Sequence, residues 1–146
     1  MMKRIFFRFF NSIRDVFVSL YRLTHGKVGG HVQGLQVLLL TTIGRKTGKQ
    51  RTTPLGYFMD GGNYVITASN AGFDAQPAWF LNLSTNRHVM LEIQDQKIQA
   101  EAEVAQAEKR NSLWSKLISL SPAYANYAKK TSREIPLIIL HPLKNG

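Results

Sequence analysis

A cluster of basic residues punctuated by glycines has the clearest chemical potential in this sequence. It reads GRKTGKQR over residues 44–51 and carries four cations, Arg45, Lys46, Lys49 and Arg51. Two glycines permit a tight turn whose backbone N–H groups converge on an anion, and arginine can hold a phosphate through two parallel donors. The spacing differs from a Walker A loop, because three residues rather than four separate the glycines. The pattern indicates either an anion-binding turn or a solvated hairpin tip.

A second stretch, ASNAGFDAQPAWFLNL at residues 68–83, combines small residues with an aromatic side chain. The small residues leave the backbone open to close approach by a flat ligand. Trp79 and Asn82 follow one helical turn apart, so they would share a face of a short helix. Taken alone, the stretch is more typical of an ordinary loop beside a core tryptophan.

Composition and charge limit the partners. The 146 residues include nineteen Lys and Arg against nine Asp and Glu, a formal net charge of +10 that attracts nucleic acid, phospholipid headgroups or a phosphorylated small molecule. The absence of cysteine excludes disulfides, thiolate metal sites and a cysteine nucleophile, and it agrees with a reducing compartment. The four histidines are scattered without ligand spacing, so no metal is expected.

Residues 1–28 predict a basic amphipathic helix, distinct from the domain that follows. Apolar residues recur there at spacings of three and four: Ile5, Phe6, Phe9, Ile13, Phe17, Leu20 and Tyr21. Arg8, Arg14 and Asp15 interrupt the apolar run, which excludes a membrane span, and no small-residue cleavage site indicates a signal peptide. Two interpretations stay open: the helix packs on the protein body, or residues 1–24 lie in an anionic membrane surface.

The rest of the chain, residues 29–146, predicts one domain that is mainly β with helices (α+β). Alternating or short apolar runs predict strands at 35–43, 51–59, 64–69, 88–93, 97–105 and 135–140, with helices at 77–85 and 107–120. The strands do not alternate with long crossover helices, which favours a small barrel over a doubly wound sheet. A Rossmann site is unsupported, because no GxGxxG follows a strand.

In this order and spacing, the motifs resemble the deazaflavin-dependent nitroreductase family, the split-barrel oxidoreductases that use coenzyme F-420. The resemblance covers roughly residues 20–140 and is carried by LLLTTIGRKTGKQRTTPLGY, ASNAG, PAWFLNL, a P.Y..Y segment and IPLIIL. It implies an FMN-binding-like split β-barrel, usually dimeric. It also implies hydride transfer from the reduced deazaflavin to a quinone-like, otherwise conjugated or nitro organic acceptor.

The resemblance also assigns roles by position. It places the anionic tail of the coenzyme on Arg45, Lys46, Thr47 and Arg51, with Pro54 shaping the neighbouring strand. It places the deazaflavin ring against the loop Ala68, Ser69, Asn70, Ala71 and Gly72, beside Trp79 and Asn82. It places Tyr57, Tyr124 and Tyr127 in the acceptor pocket, where hydroxyl groups can orient or protonate the acceptor and where tyrosine is equally common as a structural plug.

Two positions depart from the family pattern. Ser121 precedes Pro122 where some members that reduce nitroimidazoles carry a tyrosine, which argues against reduction of nitro drugs. Asn70 replaces a lysine that is frequent in the family loop, which favours weaker coenzyme binding or accommodation of a different flavin.

Two other functions remain as alternatives. The first is a noncatalytic module that binds or carries deazaflavin or FMN. The second is nucleic-acid binding, which is disfavoured because no recognised motif is present and phenylalanines interleave with the arginines of the N-terminal helix. The favoured hypothesis is a cytoplasmic reductase at the inner face of the cell membrane, a possible homodimer that acts on a small acceptor such as a lipid quinone.

Overall fold

Six antiparallel strands close into a barrel in the computed structural model, which describes the backbone of residues 2–144 and the side chains of residues 13–144. The described sheet has seven strands, of which the last six form the barrel: β1 (His31–Val32), β2 (Leu35–Ile43), β3 (Gln50–Asp60), β4 (Asn63–Thr67), β5 (His88–Ile93), β6 (Gln96–Val104) and β7 (Leu137–Pro142). Around the barrel the order is β2-β3-β4-β7-β6-β5, and β5 pairs again with β2 to close it. The short β1 extends the sheet beside the start of β2. The predicted mainly β fold with helices is confirmed.

Strand β2 is buried on both faces, which explains its nearly continuous apolar sequence. Leu38 and Leu40 pack in the barrel interior, while Val37 and Leu39 belong to a separate cluster beneath the N-terminal helix. The strand therefore connects two hydrophobic clusters, and its register fixes the position of the basic turn that follows it.

Over residues 2–144, four α-helices cover the barrel: α1 (Met2–Leu23), α2 (Ala78–Thr85), α3 (Ala107–Leu120) and α4 (Ala123–Lys130). Helices α3 and α4 cover a cluster that includes Phe58, Val65, Leu113 and Leu117. Pro122 separates the two helices, because proline is tolerated at a helix start but not within a helix.

The C-terminal half of α1 is fastened to the barrel. The hydroxyl of the buried Tyr21 donates to the Val37 carbonyl at 3.0 Å and accepts from the Gln94 amide at 3.0 Å. Arg22 donates two hydrogen bonds to Glu92, at 3.0 and 2.7 Å, and these bonds raise the pKa of the guanidinium above its ordinary value. The helix is thus held by a charged pair as well as by packing.

The sequence predicts one apolar face on α1. In the structure, some apolar side chains of that face are buried and others are exposed to solvent. Tyr21 is buried and Phe17 is half-buried, whereas Ile13 and Leu20 are exposed. The side chains of Ile5, Phe6 and Phe9 lie outside the described residues. Within the described part of the chain, no helix is both long and apolar enough to cross a membrane.

The predicted elements are confirmed with small boundary shifts. The predicted strand at 64–69 ends at Thr67, because the chain enters a 3₁₀ turn at Asn70–Gly72 where Asn70 and Ala71 adopt positive φ of 46° and 54°. The predicted strand at 135–140 instead begins at residue 137, directly after Pro136, which has no N–H to donate. Helix α4 and strand β1 have no predicted bounds.

Candidate functional site

Two adjacent clefts share a wall formed by Arg14, Thr53, Ala78 and Trp79. The first, with a volume of about 420 Å³, contains the basic turn and is called the basic cleft here. The second, of about 890 Å³, is lined mainly by apolar residues and is called the apolar cleft. Together they form a groove that is cationic at one end and apolar at the other.

The basic cleft gathers four cations, Arg14, Arg45, Lys46 and Arg51. No carboxylate is among the described residues that line it, and the one ion pair described for these cations joins Arg14 Nε to the exposed Asp15 at 3.9 Å. Like charges collected in a concave site raise the local concentration of anions. The family resemblance assigned three of these cations and Thr47 to the coenzyme tail, and all four residues line this cleft. Arg14 comes from α1 and was not predicted.

The turn between β2 and β3 is closed by its own hydrogen bonds. The Gly44 amide donates to the Lys49 carbonyl at 2.8 Å, and the Gly48 amide donates to the Gly44 carbonyl at 2.8 Å. Gly48 has φ of 73°, which favours glycine, and a Cβ on Gly44 would lie 3.0 Å from the Thr47 hydroxyl. These amides are therefore occupied within the turn. The two glycine amides would therefore not contribute to the predicted convergence of backbone N–H groups on an anion.

Asn82 on α2 holds Arg45 in the wall of the basic cleft. Its Oδ1 accepts from the Arg45 backbone amide at 3.2 Å and from Arg45 Nη1 at 3.0 Å, while its Nδ2 donates to Thr42 Oγ1 at 3.2 Å. Asn82 is buried, with 4% of its surface exposed. The resemblance predicted that Asn82 lies beside the deazaflavin ring. In the structure, the Asn82 side chain orients the guanidinium of Arg45.

Most of the residues assigned to the ring and the acceptor lie in the apolar cleft. Ser69, Asn70, Ala71, Trp79, Tyr124 and Tyr127 all line it, and so does Pro54, which was predicted to shape the strand beside the basic turn. Ala68 lies behind the loop, with none of its surface exposed, and does not line either cleft. Gly72 packs against α4, where a Cβ would lie 3.0 Å from the Tyr127 carbonyl oxygen. A glycine is needed at that position so that the loop can approach α4.

Two of the three predicted tyrosines meet in the apolar cleft. The rings of Tyr124 and Tyr127 contact edge to face, with centroids 5.4 Å apart. Burial, and secondarily the neighbouring Tyr127, raise the pKa of Tyr124, so its hydroxyl stays protonated at neutral pH.

Tyr57 does not join the other two tyrosines. It is buried in the barrel interior, packs edge-on against Tyr64 and donates from its hydroxyl to Gln36 Oε1 at 2.9 Å. Burial is also the largest cause of its raised pKa. The structure therefore places Tyr57 outside the residues that line either cleft.

Arg133, which sequence reasoning missed, holds the loop that forms one side of the apolar cleft. Its guanidinium donates to the carbonyls of Ala68 (3.1 Å), Ser69 (2.9 Å) and Phe73 (3.1 Å) and to Gln76 Oε1 (3.0 Å). Four hydrogen bonds from one side chain fix the path of a segment that contains two residues at positive φ. Arg133 is therefore a positioning residue for this wall.

The closed six-stranded barrel, with one groove that runs from cationic to apolar, defines the class of small barrel proteins whose groove suits a ligand that is anionic at one end and flat and apolar at the other. Residues 13–142 match the sequence model of a protein family described as F420H(2)-dependent quinone reductase. A reductase of that description from Mycobacterium tuberculosis is 35% identical over 127 residues, which make up 84% of this chain and 85% of the relative.

Two solved structures extend the comparison. An F420-H2 dependent reductase, FDR-A, is 33% identical with a TM-score of 0.66, over 72% of this chain and 93% of the other. A structure described as a domain-swapped dimer is 30% identical with a TM-score of 0.69, over 90% of this chain and 98% of the other. The chain belongs to the F420H(2)-dependent quinone reductase family. This confirms the resemblance found in the sequence, the F-420 coenzyme and the oxidoreductase class.

Replacement of Arg133 by glutamine should weaken coenzyme binding without unfolding the protein. Carbonyl oxygens at the loop would lose their donor, so we expect the free energy of unfolding to fall by about 1–3 kcal/mol. The displaced loop should raise the F-420 dissociation constant about tenfold, measured by absorbance titration. Arg87→Gln, at an exposed position that lines neither cleft, is the matched control. Equal dissociation constants for the two variants would contradict the positioning role.

Proposed function

We propose that this chain transfers a hydride from reduced F-420 to a quinone. The observation that carries the proposal is the groove itself, in which four cations without a lining carboxylate adjoin an apolar cleft that contains Tyr124 and Tyr127. An anionic coenzyme and an apolar, flat acceptor require this pairing of environments. Membership of the family supports the choice of both ligands.

The donor set fits the coenzyme. Its phospholactyl group and glutamyl tail are anionic, and Arg45, Lys46 and Arg51 would hold them by charge-assisted hydrogen bonds. The small residues of the loop that Arg133 holds, together with Trp79, would flank the ring. When bound in its reduced form, the coenzyme supplies a hydride, which carries two electrons. The protein must position the acceptor and exclude water from the apolar cleft.

Reduction of a quinone to a hydroquinone also consumes a proton. Tyr127 is suited to supply it, because its side chain lines the apolar cleft and a phenol can act as a general acid. Tyr124 lies against it and, being protonated at neutral pH, adds no negative charge to the cleft. The catalytic role predicted for Tyr57 is not carried into this proposal, because that side chain lies in the barrel interior.

The test combines binding with turnover. The protein is titrated with F-420 and, in parallel, with FMN, and is then mixed with reduced F-420 and menadione, a soluble naphthoquinone. We expect F-420 to bind in the micromolar range or tighter and its oxidised absorbance to return only when protein is present. Binding without turnover for a range of quinones would favour a carrier module instead, and failure to bind F-420 at micromolar concentration would refute both.

We further propose that α1 rests on an anionic membrane surface and that the acceptor is a lipid quinone. Ile13, Val16, Leu20 and Leu23 are all exposed, by 44% to 76%, and their spacings of three and four place them along one face of α1. Ile13 also lines the apolar cleft, so this exposed stripe begins at the wall of the groove. The net charge of +10 favours an anionic surface. The proposal places the enzyme at the inner face of the cell membrane, in the cytoplasm.

A homodimer is proposed as the assembly. The support is the description of a 30% identical structure as a domain-swapped dimer. Light scattering should then give twice the chain mass of 16.5 kDa, and a mass of one chain at micromolar concentration would contradict it.

A further inference from the structure

The turn between β1 and β2 packs against the junction of α3 and α4. Ser121, which is 1% exposed, donates from Oγ to the Gln33 carbonyl at 2.6 Å. A Cβ on Gly34 would lie 3.1 Å from the Leu120 carbonyl oxygen, so the two segments are in close contact. The residue that departs from the family pattern thus fastens this turn to the junction of α3 and α4.

The same turn reaches into the apolar cleft. Gln33, whose side chain lines that cleft, donates from Nε2 to the hydroxyl oxygen of Tyr127. Its backbone has φ of 50°, a left-handed conformation that a residue other than glycine adopts when surrounding contacts hold it. The Ser121 hydrogen bond to its carbonyl is one such contact. Gln33 is therefore held on both its backbone and its side chain.

The direction of the Gln33 hydrogen bond matters for chemistry. A phenolic hydroxyl has one hydrogen to donate and also accepts hydrogen bonds on its oxygen. Because the Tyr127 oxygen accepts from the Gln33 amide, the Tyr127 hydrogen is free to point toward a ligand in the cleft. An amide donor on a phenol oxygen also stabilises the negative charge that develops there as the proton leaves.

We propose that Gln33, fastened by Ser121, is a positioning residue that directs the Tyr127 hydroxyl as proton donor to the acceptor's carbonyl oxygen. The inference rests on the proposed quinone reduction and extends it to residues that contribute no proton themselves. In the step, the Tyr127 O–H bond breaks and an O–H bond forms on the quinone oxygen. The hydride that the reduced coenzyme would supply leaves a C–H bond of the donor and forms a bond to the quinone, which thereby gains two electrons, and the tyrosinate recovers a proton from water.

The chain offers a matched pair of variants to test this inference. Gln33→Leu removes an amide bonded to Tyr127, and Gln36→Leu removes an amide bonded to Tyr57, which lies outside the groove. We expect Gln33→Leu to lower kcat for menadione reduction about tenfold or more, with the F-420 dissociation constant within about twofold of the parent protein. Gln36→Leu should leave both unchanged.

A third variant separates positioning from packing through its pH profile. In Gln33→Glu, an ionised carboxylate would accept the Tyr127 hydrogen and remove it from the cleft, whereas a protonated carboxyl could donate as the amide does. We expect kcat of this variant to be low at neutral pH and to rise, relative to the parent protein, as the pH falls toward the ordinary glutamate pKa of about 4.3. If kcat depended on pH in the same way in Gln33→Glu and in the parent protein, the result would contradict the inference.

A readout without turnover tests the contact directly. With 13C at the tyrosine Cζ position, the NMR signal that disappears in Tyr127→Phe should shift in Gln33→Leu and not in Gln36→Leu. Unchanged kcat in Gln33→Leu, or equal loss in both leucine variants, would overturn the inference while the parent protein remains active. If the parent protein itself fails to reduce quinones, the proposed function fails, and the NMR experiment still decides whether Gln33 engages Tyr127.

Discussion

Replacement of Arg45 by glutamine is expected to raise the F-420 dissociation constant about ten- to hundredfold, because a charge-assisted hydrogen bond contributes about 1.5–3 kcal/mol. Asn82 holds the Arg45 guanidinium at 3.0 Å in the wall of the basic cleft, so little side-chain entropy is lost when an anion binds. The measurement is an absorbance titration with oxidised F-420.

Lys49→Gln is the matched control for Arg45→Gln. Lys49 belongs to the same turn, is exposed like Arg45, and the variant loses the same charge, yet Lys49 lines neither cleft. We expect the F-420 dissociation constant of Lys49→Gln to rise less than about threefold at physiological salt, because the interaction between exposed charges is screened beyond about 8 Å. Equal effects in the two variants would show that net charge, and not a defined anion site, binds the coenzyme.

Replacement of Leu20 and Leu23 together by glutamate is expected to abolish most of the sedimentation with anionic vesicles. Each leucine loses about 1.5–3 kcal/mol of burial in the interface, so partitioning should fall at least about tenfold even with partial insertion. Both side chains are exposed, at 44% and 76%, so the fold should be retained. Deletion of residues 1–20 should have the same effect, but it also removes the buried Val18 and is the less specific test.

The controls for the membrane experiment are exposed leucines outside α1. Leu81 and Leu143 are also exposed, at 37% and 40%, and their replacement by glutamate makes the same change in charge away from α1. Vesicles of phosphatidylglycerol and phosphatidylcholine are compared with phosphatidylcholine alone. Unchanged sedimentation of the α1 variant, or equal loss in the control, would refute docking through the exposed stripe.

Local patterns account for what the sequence predicted well. The basic turn between β2 and β3 was found because glycines and cations occur within eight consecutive residues, and the strands were found because their apolar residues alternate or run together. Strand alternation could not have separated Tyr57 from the acceptor pocket, because Leu55, two residues away on the same face of β3, lines the apolar cleft whereas Tyr57 does not.

Contacts between distant segments account for what the sequence did not show. Arg133 binds groups 57 to 65 positions away, and Gln33 reaches a tyrosine 94 positions away. Such partners depend on barrel closure and on how α4 packs, and no local spacing encodes either. Arg14 likewise enters the groove only because α1 is fastened across β2 and β5. The identity of the coenzyme could be predicted from the family resemblance. The positions of Arg133, Gln33 and Arg14 around the groove could be seen only in the three-dimensional structure.

The attachment of α1 has a mechanical consequence. The helix is about 33 Å long at 1.5 Å per residue, and among its described side chains Tyr21 and Arg22, next to its last residue, hydrogen-bond to the barrel. Arg14 and Phe17, which line the apolar cleft, precede these two attachment points by four to eight residues, about 6–12 Å along the helix. A change in the tilt of α1 about Tyr21 and Arg22 would therefore move this wall and change the width of the groove.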